Sequence, residues 1–447
     1  HCRHELAREK KQINSCFMDK WSPRTWHRKA SRPVSIWMMV FLVAGASHIL
    51  IPNYRWVLIH LFTLGILTNS IIVWSQHLTE KFVQLRLPDS ARPRQLARIY
   101  LLNAGVSVVL LGQLLVQAWN KHWILTQIGA TLVGAAVLWH GATLFGLWRQ
   151  AESKRFRPVV AAYVASAFFL AVGAVLGALL AVYPAHPRLL IAHVTANVGG
   201  FVGLAAAGSL TILFPSIWRT KGVNPRMNLS FALLSLGVIA TLIGSVWNIP
   251  EVGLIIYCLG WLASLEGWLV NVLTVAEEPR GRVTFPALSA LFAALWLVGG
   301  LTYYTAQHFF TDEPKIPMLA LIVGFAAQLL VGVMSYLMPT TMGGGPSAVR
   351  AGLREYNRWG IGRSVFVNGG LALWLATSSS LTMVIASLLS LGSMALLPVL
   401  TARAVKAQKA VLQKKAEGPA PATATDWNQA LIALGVLVLV GALSFVL

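Results

Sequence analysis

The stretch Tyr54–His77, YRWVLIHLFTLGILTNSIIVWSQH, is long and apolar enough to cross a lipid bilayer as one helix, and it carries a histidine near each end. His60 and His77 are separated by about 25 Å along an α-helix at 1.5 Å per residue. The hydrocarbon core of a bilayer is about 30 Å thick, so the stretch predicts one imidazole near each membrane face. Ionisable side chains inside a membrane are energetically costly, which makes both histidines candidates for function.

The whole chain has this apolar character. Of its 447 residues, 56% are hydrophobic and only 11% are charged, a composition typical of polytopic membrane proteins and not of soluble ones. We therefore predict an all-α membrane protein with a helix in each apolar segment of spanning length. These segments are 33–50, 54–77, 97–119, 123–148, 158–183, 188–217, 227–248, 251–275, 285–306, 316–339, 362–378, 381–402 and 427–447.

The distribution of basic residues predicts the topology. Most of the 36 Lys and Arg residues fall in the N-terminal tail or in the loops after even-numbered segments. The exceptions are Arg55, Lys121, Arg188 and Lys315. By the positive-inside rule, the N-terminus is expected on the cytoplasmic side of a plasma membrane and the C-terminus outside. The net charge of +21 is then a consequence of topology and of attraction to anionic lipid, and nucleic-acid binding is not expected.

We divide the chain into four regions. Weak internal repeats at a spacing of four segments group twelve of the helices into three arcs of four, and a thirteenth helix follows. Because that last helix ends at the predicted outer face, we expect a soluble module or a partner there. The regions are a basic cytoplasmic tail (1–31), a twelve-helix membrane domain (32–405), a cytoplasmic linker (406–426) and the thirteenth helix (427–447).

The second and sixth segments share an arginine followed five positions later by a histidine, as Arg55 with His60 and Arg188 with His193. The two histidines are expected at nearly the same depth near the outer face. Two neutral imidazoles at one depth can ligate haem iron from both sides, and guanidinium groups above them suit the propionates. We therefore predict haem b on His60 and His193; the alternative is that each histidine hydrogen-bonds a neighbouring helix. The small neighbours expected to admit the macrocycle are Gly65, Ala196, Gly199 and Gly200.

Other polar residues in the apolar segments support weaker predictions. His77 and His140 on the inner side are candidates for a second haem or a copper, and His48 on the outer side is a candidate for a metal or quinone contact. Structural hydrogen bonds are the alternative for each. Glu266 is the one acid well inside a predicted segment, so it is either a proton or quinol site or a paired structural residue. Amides such as Asn69, Asn103, Asn197, Gln328 and Asn368 are expected to join helices by hydrogen bonds.

The chain resembles NnrS-like and haem-copper-oxidase subunit-I-like membrane domains of bacteria, of the kind found N-terminal to copper nitrite reductase or multicopper oxidase modules. The resemblance spans the first twelve segments. It rests on the motifs RTWHRKASRPVSIW, HLFTLGILTNSIIVWSQH, AHVTANVGGFVGL and YLMPTTMGGGPSAVRAG.

This resemblance implies a twelve-helix bundle in three arcs and a haem held partly by a second-helix histidine, which matches His60. Two departures matter: the tenth segment has no histidine, and the seventh has no adjacent pair of histidines for an oxidase-type copper site. Reduction of oxygen as in respiratory oxidases is therefore not expected, and pairing His193 with His60 follows from depth and repeat alone.

Two classes of function follow. The first is a membrane electron-transfer module that takes electrons from quinol and passes them to an extracytoplasmic cupredoxin-type copper domain or subunit, such as a nitrite reductase or multicopper oxidase. The second is a transporter, or a membrane protein for haem, copper or nitric-oxide tolerance, for which twelve helices with internal repeats are also suitable. A membrane scaffold for a soluble enzyme is the third alternative, and a homo-oligomer is compatible with each.

Overall fold

The structure is a computed structural model that describes residues 23–85, 87–151, 155–222 and 224–446. Within these ranges all regular structure is helical. The helices in chain order are α1 (Pro23–Ala30), α2 (Arg32–Ala46), α3 (Tyr54–Phe82), α4 (Arg92–Leu114), α5 (Trp123–Gln150), α6 (Arg157–Val182), α7 (Pro187–Trp218), α8 (Met227–Trp247), α9 (Glu251–Glu277), α10 (Phe285–Phe310), α11 (Ala320–Met342), α12 (Pro346–Tyr356), α13 (Gly360–Ala376), α14 (Ser380–Leu412) and α15 (Asn428–Val446).

Each of the predicted apolar segments overlaps one of these helices. Among the described residues, 10 helices (α3 to α11, and α14) are long and apolar enough to cross a membrane. This identifies a multi-pass membrane protein, because lipid offers no hydrogen-bond partners and only a helix or a closed barrel satisfies its own backbone there. The other predicted crossings, α2, α13 and α15, have 15, 17 and 19 residues.

Several boundaries differ from the sequence prediction, two of them on either side of the loop after the second crossing. The second crossing was predicted to end at His77 and the third to begin at residue 97, whereas α3 continues to Phe82 and α4 begins at Arg92. Pro93 suits the first turn of a helix, where its missing N–H has no partner to lose. Polar residues on both extensions pack against each other, so hydropathy alone placed these helix ends too near the membrane centre.

The glycine run before α12 has a conformational reason. Gly343, Gly344 and Gly345 all have positive φ, at 64°, 94° and 89°, a region that other residues rarely adopt. Pro346 then begins α12, a short helix of 11 residues.

The chain forms two compact units. The first unit contains the residues up to Ala205 together with Ser245–Asn248, and the second contains Ala206–Gly244 and the residues from Ile249 onward. In the first unit α5 packs between α4 and α6, and α6 packs along the first half of α7. In the second unit α10 packs on α11, and α13 packs on α14 and α15.

Three helices contain a π-helical segment, in which the backbone hydrogen bonds span five residues. The segments are Leu61–Thr68 in α3, Thr195–Gly203 in α7 and Ala320–Ala327 in α11. These helices are the second, sixth and tenth predicted crossings, so the π segments recur at the four-crossing spacing of the predicted repeat.

Each π segment includes a glycine covered by an aromatic ring of the preceding crossing. A Cβ at Gly65 would lie 2.9 Å from Trp37, one at Gly324 would lie 2.5 Å from Trp296, and one at Gly200 would lie 2.5 Å from Phe169. The indoles over Gly65 and Gly324 also donate to an asparagine. Trp37 Nε1 donates to Asn103 Oδ1 at 2.6 Å, and Trp296 Nε1 donates to Asn368 Oδ1 at 2.9 Å. The close contacts explain why glycine occupies these positions.

Candidate functional site

His60 and His193 come together in the first unit. Each lies where an ordinary α-helical segment gives way to a π segment: His60 directly precedes the one in α3, and His193 is two positions before the one in α7. Their ring centroids are 6.3 Å apart and their planes differ by 30°. The depth argument predicted that these rings would be at one level, and the structure brings them to this distance.

The Nδ1 atom of each ring is bonded to a backbone carbonyl. His60 Nδ1 lies 2.9 Å from the Trp56 oxygen, and His193 Nδ1 lies 3.0 Å from the Gly173 oxygen. A carbonyl oxygen only accepts, so both Nδ1 atoms carry the proton and both Nε2 atoms keep a lone pair. Among the described residues neither Nε2 has a hydrogen-bond partner. Histidines that ligate metals have this arrangement, with one nitrogen oriented by a carbonyl and the other open.

Further contacts hold the two rings in place. The Trp56 ring stacks on His60 with centroids 3.7 Å apart and planes 18° from parallel. Asn197 donates from Nδ2 to the His193 backbone oxygen at 2.8 Å. The same Nδ2 also lies 3.2 Å from His193 Nδ1, but both groups are donors once Nδ1 bonds the Gly173 carbonyl, so we assign the hydrogen bond to the backbone.

Two of the small residues expected to admit the macrocycle, Gly65 and Gly200, pack against aromatic rings instead. The expectation for Gly199 stays a prediction. Gly65 and Gly200 are covered by Trp37 and Phe169, and Ala196 is fully buried, so these positions serve helix packing. Room for the His193 ring comes instead from α6. A Cβ at Gly177 would lie 2.9 Å from His193 Cε1, and one at Gly173 would overlap the Asn197 amide. The sequence signal was present: Gly173 and Gly177 form the small-xxx-small spacing of closely packed membrane helices.

The two arginines predicted to bind propionates are exposed. Arg188 Nη1 donates to the Val246 carbonyl at 3.1 Å, and the Arg55 guanidinium lies 5.9 Å from the Tyr54 ring centroid. Neither of these contacts is an ion pair. Binding of a carboxylate by Arg55 and Arg188 stays a prediction.

The histidines proposed for a second site have separate partners. His77 Nδ1 lies 2.9 Å from His27 Nε2, His140 Nε2 lies 2.9 Å from Ser75 Oγ, and His48 Nδ1 lies 2.9 Å from the Gly45 carbonyl. In the described part of the chain no three His, Cys, Asp or Glu side chains group as metal ligands do. A second haem or a copper at these residues stays a prediction.

His27 was assigned to the cytoplasmic tail, and sequence reasoning missed its contact with α3. Its ring also stacks on Trp74 with centroids 5.5 Å apart. Burial lowers the pKa of His27 to about 4, and the positive charges of Lys81 and Arg92 add to this effect. His27 is therefore neutral at physiological pH.

Glu266 forms an ion pair with Arg226 at 3.2 Å, and about half of its side chain is exposed. Of the two predicted alternatives this contact favours the paired structural residue, and a role in proton or quinol chemistry stays a prediction. The enclosed acid in the first unit is Glu80, which lies beyond the predicted end of the second crossing. Arg92 donates to its two oxygens at 3.1 and 3.0 Å, and Gln76 donates to it at 2.9 Å.

The chain matches no protein-family model, no curated protein and no solved structure. The chemistry of the site therefore has to be argued from its own residues. Two neutral imidazoles with fixed tautomers and open Nε2 atoms are suited to ligating a metal ion between them.

Proposed function

We propose that the chain is a haem-b-binding membrane electron-transfer module in which His60 and His193 would hold the haem iron. The single observation that carries the proposal is the 6.3 Å separation of the two ring centroids, with each Nδ1 bound to a carbonyl. A metal–imidazole nitrogen bond is about 2 Å long, so two imidazoles at this separation are close enough to ligate one metal ion.

Haem b bound there would supply a one-electron redox centre. With His60 and His193 both holding it, such a group would serve electron transfer between a donor and an acceptor. The Trp56 and Gly173 carbonyls hold the tautomers, and Asn197 and the Trp56 ring restrict movement of the imidazoles. Arg55 and Arg188, close in sequence to the two ligands, are the side chains we assign to the propionates.

The proposed electron donor is quinol, and the proposed acceptor is an extracytoplasmic cupredoxin-type copper domain or subunit. Support comes from the predicted position of the site near the outer face and from the resemblance to domains that precede copper nitrite reductase or multicopper oxidase modules. The recurrence of π segments in α3, α7 and α11 supports the oxidase-like bundle of three four-helix arcs. The positive-inside distribution supports a cytoplasmic N-terminus.

The test is a pyridine-haemochrome assay with reduced-minus-oxidised spectra on the purified protein. We expect about one haem b per chain in the wild type and loss of the low-spin spectrum in His60→Ala and His193→Ala. His186→Asn is the matched control: His186 caps α7 by accepting from the Leu189 N–H, and asparagine keeps this cap. This control should retain the wild-type haem content.

Two results would overturn the proposal. One is wild-type protein that has no Soret band after reconstitution with haem. The other is a full low-spin spectrum in both histidine variants. Adding a quinol analogue to haem-loaded protein then tests the donor separately, since haem binding without reduction removes only the quinol step.

A further inference from the structure

Gln328 is a buried side chain whose hydrogen-bonding groups are both unused. It is the first residue after the π segment of α11, near the middle of that helix, and it is 0% exposed. Neither its Oε1 nor its Nε2 has a hydrogen-bond partner among the described residues. A primary amide transferred from water to an apolar interior without partners is strongly unfavourable, and nearly all buried polar groups are paired with protein or with ordered water.

The first unit shows what a polar residue at this position does when it is satisfied. Asn69 follows Gly65 by four residues, as Gln328 follows Gly324, and both glycines are covered by a tryptophan. Asn69 exchanges two hydrogen bonds with Asn103, at 3.1 and 2.8 Å. Asn368, the counterpart of Asn103, bonds Trp296 and the Ser364 carbonyl, whereas no bond joins it to Gln328.

A second unpaired polar group lies on the neighbouring helix α10. Ser289 of α10 is 0% exposed and its Oγ has no partner among the described residues. It faces Gly332, one turn beyond Gln328 on the same face of α11, because a Cβ at Gly332 would lie 2.5 Å from Ser289 Cβ and 3.2 Å from its Oγ. The α10–α11 interface therefore holds an amide donor, an amide acceptor and a hydroxyl within about one helical turn.

We infer that this interface binds an internal water molecule that bridges Gln328 and Ser289. A molecule bound here has to donate and to accept hydrogen bonds, because the unpaired groups include both donors and acceptors. The bound molecule has to be small, because Ser289 and Phe325, which lies three positions before Gln328 on α11, are fully buried as well. Water meets both conditions, and buried waters characteristically make two to four hydrogen bonds of this kind. The site belongs to the second unit and does not depend on His60 or His193.

Three variants test the inference by thermal unfolding in detergent. Gln328→Met keeps the side-chain volume but removes the amide, and Ser289→Ala removes the hydroxyl. With bound water each variant should lower Tm by about 2 °C, because the water loses a partner, and the double variant should be no less stable than the worse single one. If the pocket is dry, Gln328→Met removes an unpaired polar group, so Tm should rise and the two effects should add; that result overturns the inference.

Gln328→Asn tests whether the bound water can be displaced without destabilising the fold. The shorter amide is expected to bond Asn368 as Asn69 bonds Asn103, which displaces the water without loss of Tm. Radiolytic hydroxyl footprinting reports the water directly, since radicals formed from a bound water label side chains that bulk water does not reach. We expect labelling of Phe325 in the wild type and a several-fold decrease in Gln328→Asn, with Phe285 as a buried reference. Absence of Phe325 labelling in the wild type overturns the inference.

Discussion

Replacement of Gly177 by alanine tests whether the proposed ligand His193 is held against α6. The added Cβ would lie 2.9 Å from His193 Cε1 and 3.2 Å from Nδ1, whereas ordinary contacts begin at 3.4 Å. The imidazole must therefore move by about 0.5 Å, since the backbone of two packed helices yields less readily than a side chain. A displacement of this size lengthens the 3.0 Å bond from Nδ1 to the Gly173 carbonyl to near the limit for a hydrogen bond.

The expected magnitude follows from two effects. Overpacking of a close helix contact costs about 1–3 kcal/mol of unfolding free energy. Loss of a hydrogen bond that orients a ligand typically weakens metal binding by about 10–100-fold. We therefore expect Gly177→Ala to fold with a lower Tm and to bind haem at least about 10-fold more weakly in a titration of apoprotein followed at the Soret band.

Gly134→Ala is the matched control, because a Cβ at Gly134 in α5 meets no atom within 4 Å. Alanine also has the higher helix propensity, so this variant should be neutral or more stable by up to about 1 kcal/mol and should bind haem as the wild type does. If Gly177→Ala gives the same titration and the same Tm as Gly134→Ala, the imidazole does not depend on α6 and our account of the site is wrong.

Three further predictions concern stability, each measured as thermal or denaturant unfolding. Glu80→Gln should lower the free energy of unfolding by about 3–5 kcal/mol, because it leaves Arg92 buried without its bidentate partner. The control Glu278→Gln, in an exposed pair with Arg280, should lower it by less than about 1 kcal/mol. Equal losses in the two variants would contradict this. Arg363→Lys should lower the free energy of unfolding by about 2 kcal/mol. The guanidinium donates to the Tyr356 and Ser393 carbonyls while its carbon lies 3.8 Å from the Phe285 ring centroid, and lysine cannot make all of these contacts. An unchanged Tm would refute this prediction. The pKa of His27 is lowered to about 4 in the folded chain, so between the unfolded value near 6.5 and pH 4 only the unfolded chain gains this proton. Stability should therefore fall as pH decreases through that window, and His27→Gln should reduce the slope.

The internal repeat was only partly visible in the sequence. Comparison of crossings four apart matched the second with the sixth, through Arg55 with His60 and Arg188 with His193. The structure adds a match between the second and tenth crossings that lies in contacts: Trp37 over Gly65 and bonded to Asn103, and Trp296 over Gly324 and bonded to Asn368. Each residue of such a triad is on a different helix, so no single aligned segment contains the pattern.

The sequence by itself determined the class, the approximate number of crossings and the helices that carry His60 and His193. The physical reason is that lipid leaves the backbone no partner, so an apolar run of sufficient length has to become a helix. The rise of a helix then converts residue number into depth. Depth was enough to predict that His60 and His193 lie at one level.

Only the tertiary structure decided which groups surround those rings. A crossing that is apolar on all sides has no preferred face in its periodicity, so hydropathy does not indicate which neighbour it meets or at what rotation. Gly65 and Gly200 were for this reason assigned to a cofactor although they contact Trp37 and Phe169, whereas Gly177, which accommodates the His193 ring, was missed. The tautomers of both histidines likewise depend on carbonyl groups that only the folded chain brings to them.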